Sequence, residues 1–353
     1  MSNDTEMIAQ KILRRKGLVR LLKDSRFLYE TAQGLRSWVT YRARKIFSVT
    51  LMLTNRCNSR CKICNIWRKR PVENMPTGVI ADLLKARCLS RMAAFVLAGG
   101  EPVLHPQIDE ILEALRGRKY RVASNGLLPE KLEELVERHG VREVDLSLDG
   151  MTAAYKAARG VDGFAKVEES IRRLKQKALV TVVYTFSPFN NGADFEEVRD
   201  FCAGHGVRFA PNIYSCVEYG EACEKPGRIA ALERGNGSIV NNRYLLLYND
   251  WLQGRVSLPC LSLRNKTVVY PNGDVSLCQV KFRRIGNLTE QKMDEIWSAP
   301  ETKRLQEEFA KCNDCWASCH RESDVHMLRL LRRFMTKKRF GKKYKTRGLD
   351  IVG

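Results

Sequence analysis

The chain has no apolar run that approaches the length of a membrane span; "FSVTLML" (47–53) and "YLLLY" (244–248) are strand-sized. It also lacks the uninterrupted apolar core of a signal peptide, because charges break up "MIAQKILRRKGLVRLLKD" (7–24). Both absences point to the cytoplasm, where thiols stay reduced. Twelve cysteines in that setting argue against disulfides and for metal or cluster binding. Of the 353 residues, 44% are hydrophobic and 29% charged, the balance of a soluble globular chain able to bury a sizeable core. That length allows one large domain, or a large one with a small one.

From Phe47 to about Ser215 a short β-branched run, a turn and an amphipathic helix repeat. The strands read "FSVTLMLT", "AAFVLAGG", "RVASNG", "REVDLSLDG", "LVTVVYTF" and "VRFAPNIY". Between them lie "TGVIADLLKARCL", "PQIDEILEALRG", "PEKLEELVERHG", "GFAKVEESIRRLKQ" and "DFEEVRDFCAGHG", with Leu/Ile/Val stripes at i, i+3 and i+4. Alternation of this kind means parallel strands joined by right-handed crossovers. Six units are too few for a closed eight-fold barrel. The fold class expected is α/β: an open, partial (βα)6 TIM-type barrel whose chemistry sits at the C-terminal strand ends.

The motif that follows the first strand also lacks something. "NRCNSRCKIC" (55–64) supplies three cysteines, Cys57, Cys61 and Cys64, but not a fourth. Three thiolates can hold three irons of a 4Fe–4S cube and leave the fourth iron open to a substrate molecule. A structural zinc site, which wants four ligands, would need a distant residue to complete it and is the alternative reading. Cys88, Cys202, Cys216 and Cys223 have no partner at ligand spacing and read as buried small apolar side chains.

Cys57-x3-Cys61-x2-Cys64 after a first barrel strand resembles the radical S-adenosylmethionine (SAM) enzymes. Further landmarks follow in order at successive strand ends: "AGGEP" (98–102), "ASNG" (123–126) and "LSLDG" (146–150), then "AARG" (157–160). The resemblance implies that the open iron chelates the methionine half of SAM. The reduced cluster then cleaves the sulfonium C–S bond, and a 5′-deoxyadenosyl radical abstracts a substrate hydrogen. It implies roles as well. Gly99 and Gly100 would let backbone approach the ligand, and Glu101 would accept from the methionine amine. Ser124, Asn125 and Ser147 would offer hydrogen bonds to ribose and methionine, and Arg159 would fork the carboxylate. Asp149 would bind substrate or cap the next helix. The family often places an aromatic residue before the third cysteine, against adenine; here Ile63 takes that place, with Trp67 near enough to share it.

The last third carries Cys260, Cys278, Cys312, Cys315 and Cys319. "VVYPNGDVSLC" (268–278) reads as strand, turn, strand. Hairpin, helix and Cys-x2-Cys resemble the small auxiliary-cluster domains called SPASM and twitch. A full SPASM domain has seven cysteines; five suit the shorter type with one 4Fe–4S cluster, held by Cys260, Cys278, Cys312 and Cys315. Cys319 is then spare, replaces one of the four, or lies near the cluster as a free thiol. A four-cysteine zinc site is the alternative, since spacing does not separate zinc from iron.

Charge is uneven. Residues 1–49 carry +7 and residues 326–353 carry +9 of a net +21. Met327, Leu328, Leu331, Phe334 and Met335 form one stripe, flanked by Arg329, Arg332, Arg333 and Lys337. Such a helix suits an anionic membrane surface, or packs on the barrel with its basic face in water. No zinc finger, OB-fold or basic–aromatic interleaving supports nucleic acid as a partner.

The organisation expected is a basic helical extension (1–46), a radical SAM partial barrel (47–225), a connecting segment (226–259), an auxiliary-cluster domain (260–322) and a basic amphipathic tail (323–353). The function expected is radical SAM catalysis with an auxiliary 4Fe–4S cluster, fed by a reductant such as ferredoxin or flavodoxin. The basic ends favour a lipid or lipid-linked substrate and a place in the cytoplasm, peripheral at the membrane. The alternatives are a peptide- or sugar/aminocyclitol-modifying enzyme and, in a different class, a non-catalytic electron-transfer or scaffold protein.

Overall fold

The computed structural model describes residues 26–215, 226–232, 243–335 and 339. Helix α1 (Arg26–Arg42) leads into β1 (Ile46–Met52), followed by α2 (Thr77–Lys85), β2 (Leu89–Ala98), α3 (Ile108–Ala114) and β3 (Lys119–Ser124). Next come α4 (Pro129–His139), β4 (Glu143–Ser147), α5 (Thr152–Arg159), α6 (Phe164–Leu174), β5 (Leu179–Phe186), α7 (Gly192–His205) and β6 (Arg208–Ile213). After two short helices, α8 (Arg243–Leu246) and α9 (Tyr248–Leu252), the chain forms β7 (Lys266–Val269), β8 (Asp274–Ser276) and β9 (Arg284–Asn287). It ends in α10 (Met293–Ser298), α11 (Pro300–Phe309) and α12 (Ser318–Phe334).

β1 to β6 pair in parallel and in sequence order, as six βα units dictate, and the sheet does not close. Alternation is clearest in β5, where every second residue is buried against the outer helices. Local chemistry sets the helix limits. Pro129 opens α4 and Gly140, at φ +62°, ends it; Asn191 and Asp194 form a reciprocal cap on α7.

Two features go beyond the sequence expectation. β2 starts at Leu89, four residues before the predicted run. More importantly, β7 is hydrogen-bonded in parallel to β1, with Ser48 opposite Lys266 and Leu51 opposite Val269. The predicted hairpin, β7–β8, is there, and β9 extends it. One nine-stranded sheet therefore runs β6-β5-β4-β3-β2-β1-β7-β8-β9.

The apolar stripe of α12 is largely spent inside the protein. Met327 and Leu328 are buried in the core and Leu331 packs against it, while Phe334 is 78% exposed. α12 lies on α1, and the crossing is close: a Cβ on Gly34 would stand 2.7 Å from the His326 carbonyl oxygen. Arg329 pairs with Glu30 at 3.6 Å. No described helix is long and apolar enough to cross a membrane. Cys202 is buried as expected and Cys88 is half-buried. Cys216, Cys223, residues 1–25 and most of the basic tail beyond Met335 lie outside the described residues.

Candidate active site

The cysteine loop starts where β1 ends, and the ends of β2 and α5 clamp it. Gly100 N donates to Thr54 O at 2.7 Å, and Glu101 N to Arg56 O at 2.8 Å. A Cβ on Gly100 would stand 2.2 Å from the Arg56 carbonyl oxygen; one on Gly99, at φ +135°, would stand 2.5 Å from that of Thr54. The sequence reading gave these glycines to a ligand. In the structure the missing side chains also let the backbone of the cysteine loop come close to β2. On the other side Arg60 N donates to Arg159 O and Lys62 N to Ala158 O.

Donors converge on the sulfurs. Cys57 Sγ accepts from Ser59 N at 3.4 Å and faces Asn125 Nδ2 at 3.9 Å. Cys61 Sγ contacts Ser59 Oγ at 3.1 Å and Arg159 Nη1 at 3.7 Å. The Ile66 amide faces Cys64. Burial pushes the Cys57 thiol up to about 11 and raises Cys64 as well. Donors aimed at sulfur favour thiolate while burial resists it, and a bound cation resolves that conflict. Cys202 is buried with no such donor and its thiol is raised by burial alone, as befits an apolar filler.

Glu101 is fully buried, and burial lifts its carboxyl to about 7. Its oxygens accept from Asn125 N at 2.7 Å and Val103 N at 3.5 Å, so it ties the end of β2 to that of β3. Ser124 Oγ accepts from Gly126 N, and Asn125 bridges Leu127 N and Asn58 Oδ1. Ser147, at the end of β4 opposite Val183 of β5, is half-buried, as is Ile63. The Trp67 indole donates to Cys61 O and is flanked by the guanidinium groups of Arg60 and Arg68.

Arg159 pairs with the buried Asp149 at 2.6 Å, and Asp149 Oδ1 accepts from Thr185 N at 2.8 Å. Asp149 is thus neither a helix cap nor a group open to substrate. Burial disfavours the Arg159 charge, but Asp149 and then Cys61 outweigh it, and the guanidinium is held firmly protonated. Among the described residues Arg159 Nε and the Tyr155 hydroxyl, both buried, have no hydrogen-bond partner, and Asp149 Oδ2 has only its ion pair with Arg159. Orphaned polar atoms in a buried site call for a ligand or water.

The second cysteine group sits under the hairpin. Cys278 Sγ accepts from Val280 N and Lys281 N, both at 3.4 Å, and the Asp314 amide faces Cys312. Burial raises Cys260, and lifts Cys278 to about 11. Cys278 also feels the charge of Cys315 and Cys312, and Cys260 that of Cys315 and Cys278, so the four lie together. Cys319, on the first turn of α12, is exposed at its surface yet also feels the charge of Cys315 and Cys278, so it stands beside the other four. The fully buried Arg321 fastens the loops by donating to the carbonyls of Cys315, Leu258, Pro259 and Cys312 at 2.8–3.2 Å. Among the described residues no three His, Cys, Asp or Glu side chains gather around a single-ion position. The cysteine loop also touches the hairpin: Cys57 and Cys64 pack against Ile66, Val268 and Tyr270.

With this geometry in place, comparison with known proteins is decisive. The family model of the radical SAM superfamily matches residues 51–202, and that of the SPASM iron–sulfur cluster-binding domain matches residues 260–319. The chain carries a radical SAM domain and a SPASM domain. A probable GTP 3′,8-cyclase from Methanocaldococcus jannaschii is 26% identical over 173 residues, 46% of this chain and 57% of its own length. The chain thus spans little more than half of that relative. Sporulation killing factor maturation protein SkfB from Bacillus subtilis is 25% identical over 279 residues, 75% of this chain and 68% of its own. Among solved structures, Streptococcus suis SuiB bound to S-adenosylmethionine superposes with a TM-score of 0.59 at 16% identity, over 85% of this chain and 80% of its own.

A radical SAM enzyme with a SPASM domain uses 4Fe–4S clusters and SAM. The residues fit both. Sulfurs with donors aimed at them suit iron ligation, and the orphaned Arg159 Nε and Tyr155 hydroxyl suit a polar ligand beside Cys61. Sequence reasoning missed Asn58, Ser59, Tyr155 and Arg321. Ser59 lies inside the Cys-x3-Cys spacer, where a small hydroxyl residue was a usable signal. Tyr155 and Arg321 look like ordinary helix residues and gave none.

Proposed function

We propose that this radical SAM enzyme holds its catalytic cluster on Cys57, Cys61 and Cys64, and an auxiliary cluster on Cys260, Cys278, Cys312 and Cys315. What cluster and SAM supply when bound is one-electron cleavage of the sulfonium C–S bond and, from it, a carbon radical able to take hydrogen from a substrate. The chain's own part is to orient and to exclude water. Asn125, Ser59 and Arg159 hold the sulfurs by hydrogen bonds and charge. The Arg159 Nε, the Tyr155 hydroxyl and the half-open Ser147 line the place for SAM's polar groups. Glu101 fixes the strand ends beneath it. The observation that carries this reading is the convergence of donors on the sulfurs of Cys57 and Cys61 at the end of β1.

For the substrate we infer a peptide. The SkfB alignment runs over 279 residues, 75% of this chain, whereas the cyclase alignment covers 173 residues, 46% of it. The lipid reading loses its main residues, because Met327 and Leu328 face the core.

The test is anaerobic reconstitution. The protein should hold about eight irons as two cubanes, and Cys57→Ala/Cys61→Ala/Cys64→Ala about four. Cys61→Ala alone should form no 5′-deoxyadenosine from SAM and dithionite. Normal formation by that variant, or stoichiometric zinc beside only four irons, would sink the assignment.

A further inference from the structure

At the end of the sheet away from the cysteine loop lies a cavity that the radical chemistry does not use. Its volume is about 330 Å³. It is bounded by the first residues of β1, β3, β4 and β7, by the middle of β2, and by α1 and α12. Sites for small ligands begin near this size, at about 300 Å³.

Two buried side chains on its wall are short of a partner. Asn265, 6% exposed, donates through Nδ2 to Thr40 Oγ1 at 3.0 Å, but among the described residues nothing donates to its Oδ1. Asp324, 1% exposed, accepts from Leu261 N through Oδ2 at 3.1 Å, and its Oδ1 likewise has no donor among them. Both residues line the cavity. A buried acceptor without a donor is destabilising, and a ligand or an ordered water corrects it.

The surrounding charges decide which donor suits these oxygens. Lys266 and Arg321 already act on Asp324 without pairing with it, so an added ammonium meets repulsion there. Lys266 donates instead to Ser323 Oγ and Cys319 O, and Arg321 to backbone carbonyls. Burial also lifts the Asp324 carboxyl to about 7, which weakens its hold on a cation. A hydroxyl donates to either oxygen and brings no charge. The rim makes the opposite demand. Arg121 is taken by Asp145 at 2.9 Å, and Lys119 stands 3.9 Å from Glu143. Arg36 of α1 also lines the cavity, is exposed, and has no ion pair among the described residues. A guanidinium so placed suits a phosphate or a carboxylate.

We propose that this cavity binds a small polyhydroxylated anion, with a sugar phosphate as its type. Hydroxyls donate to Asn265 Oδ1 and Asp324 Oδ1, and the anionic group meets Arg36. No bond is made or broken. The occupant bridges α1, α12 and the start of β7, and so stabilises the fold while it is bound.

The probes are ribose 5-phosphate, ribose and inorganic phosphate, each titrated calorimetrically into the reconstituted enzyme. Ribose 5-phosphate should bind at least about tenfold tighter than either of the others, because it alone meets both ends. In Asp324→Asn the amide oxygen is still needed by Leu261 N, so an N–H faces the cavity; ribose 5-phosphate should bind about tenfold more weakly. Arg36→Gln, at an exposed position, should weaken ribose 5-phosphate about threefold or more and leave ribose unchanged. Arg42→Gln, exposed on α1 and outside the cavity, should bind as the wild type does. Both cavity variants should form 5′-deoxyadenosine from SAM and dithionite at near the wild-type rate, since neither residue touches the cysteine loop. No binding of ribose 5-phosphate by the wild type would mean that the cavity holds water alone, and would overturn the proposal. So would phosphate binding as tightly as ribose 5-phosphate, which means an adventitious ion only. Equal affinity in the wild type and both variants would place the ligand elsewhere and overturn it too. If Asp324→Asn does not fold, Arg36→Gln decides alone.

Discussion

Gly100 shows how a residue can serve a site without touching what binds there. Its missing side chain lets the Arg56 carbonyl come close enough to accept from Glu101, and that contact folds the cysteine loop back onto β2. The neighbour is backbone and cannot swing away. Gly100→Ala should cost on the order of 2 kcal/mol or more in urea denaturation of the apoprotein. It should also lower iron bound at the loop while leaving the auxiliary four irons in place. Glu101 makes a prediction of opposite kind, about pH. Unfolded, its carboxyl titrates near 4.5; folded and buried, it keeps its proton to about 7. Between those values the native state holds the extra proton, so this group's contribution to stability falls as pH rises and levels off above about 7. The fall is on the order of 3 kcal/mol. Asp324, also lifted to about 7 by burial, acts in the same direction. Denaturation midpoints at pH 5 and 7.5, compared between wild type and Glu101→Gln, isolate Glu101 because Asp324 is present in both. A difference that does not change with pH would refute the buried-proton account.

Among the elements, α12 was read from its stripe of apolar residues at helical spacing, and that stripe is real. What the spacing could not say is which surface it meets. The helix lies against α1 and drives Val325, Met327 and Leu328 into the core, and its first turns carry Cys319 and Arg321 beside the auxiliary cysteines. Leu328→Ala should therefore cost about 2–5 kcal/mol, as a buried leucine does. Phe334→Ala, at the exposed end, should change stability by no more than about 0.5 kcal/mol. Chemical denaturation separates the two. Equal small effects would mean the helix is loosely seated and its stripe still free to meet a membrane. Equivalent logic holds for β7: its place in a strand–turn–strand pattern was legible, but its partner was not, because parallel pairing between Ser48 and Lys266 spans more than two hundred residues and leaves no local trace.

At the scale of the molecule, the barrel was legible because its first four strands end in compact landmarks and its helices declare themselves by period. The six predicted strands all exist, and the cysteines fall where a loop after β1 puts them. The parts that stayed hidden are those made by long-range packing. Arg159 was assigned to a ligand because nothing in its neighbourhood names Asp149 as its partner across a turn and a helix. Arg321 was unassigned because a single arginine in a helix gives no sign that it will be fully buried among carbonyls.

The pairing of β1 with β7 also has a consequence for how such an enzyme can diversify. One strand leads into Cys57 and its hydrogen-bonded neighbour leads into the hairpin above Cys278, so the two cysteine groups are gauged from a common edge. Their separation is set by ladder register, not by a hinge, and it changes only if several bonds break together. A chain built this way cannot accommodate a larger substrate by swinging its halves apart. It has to do so by altering side chains and loop lengths around an aperture of fixed width.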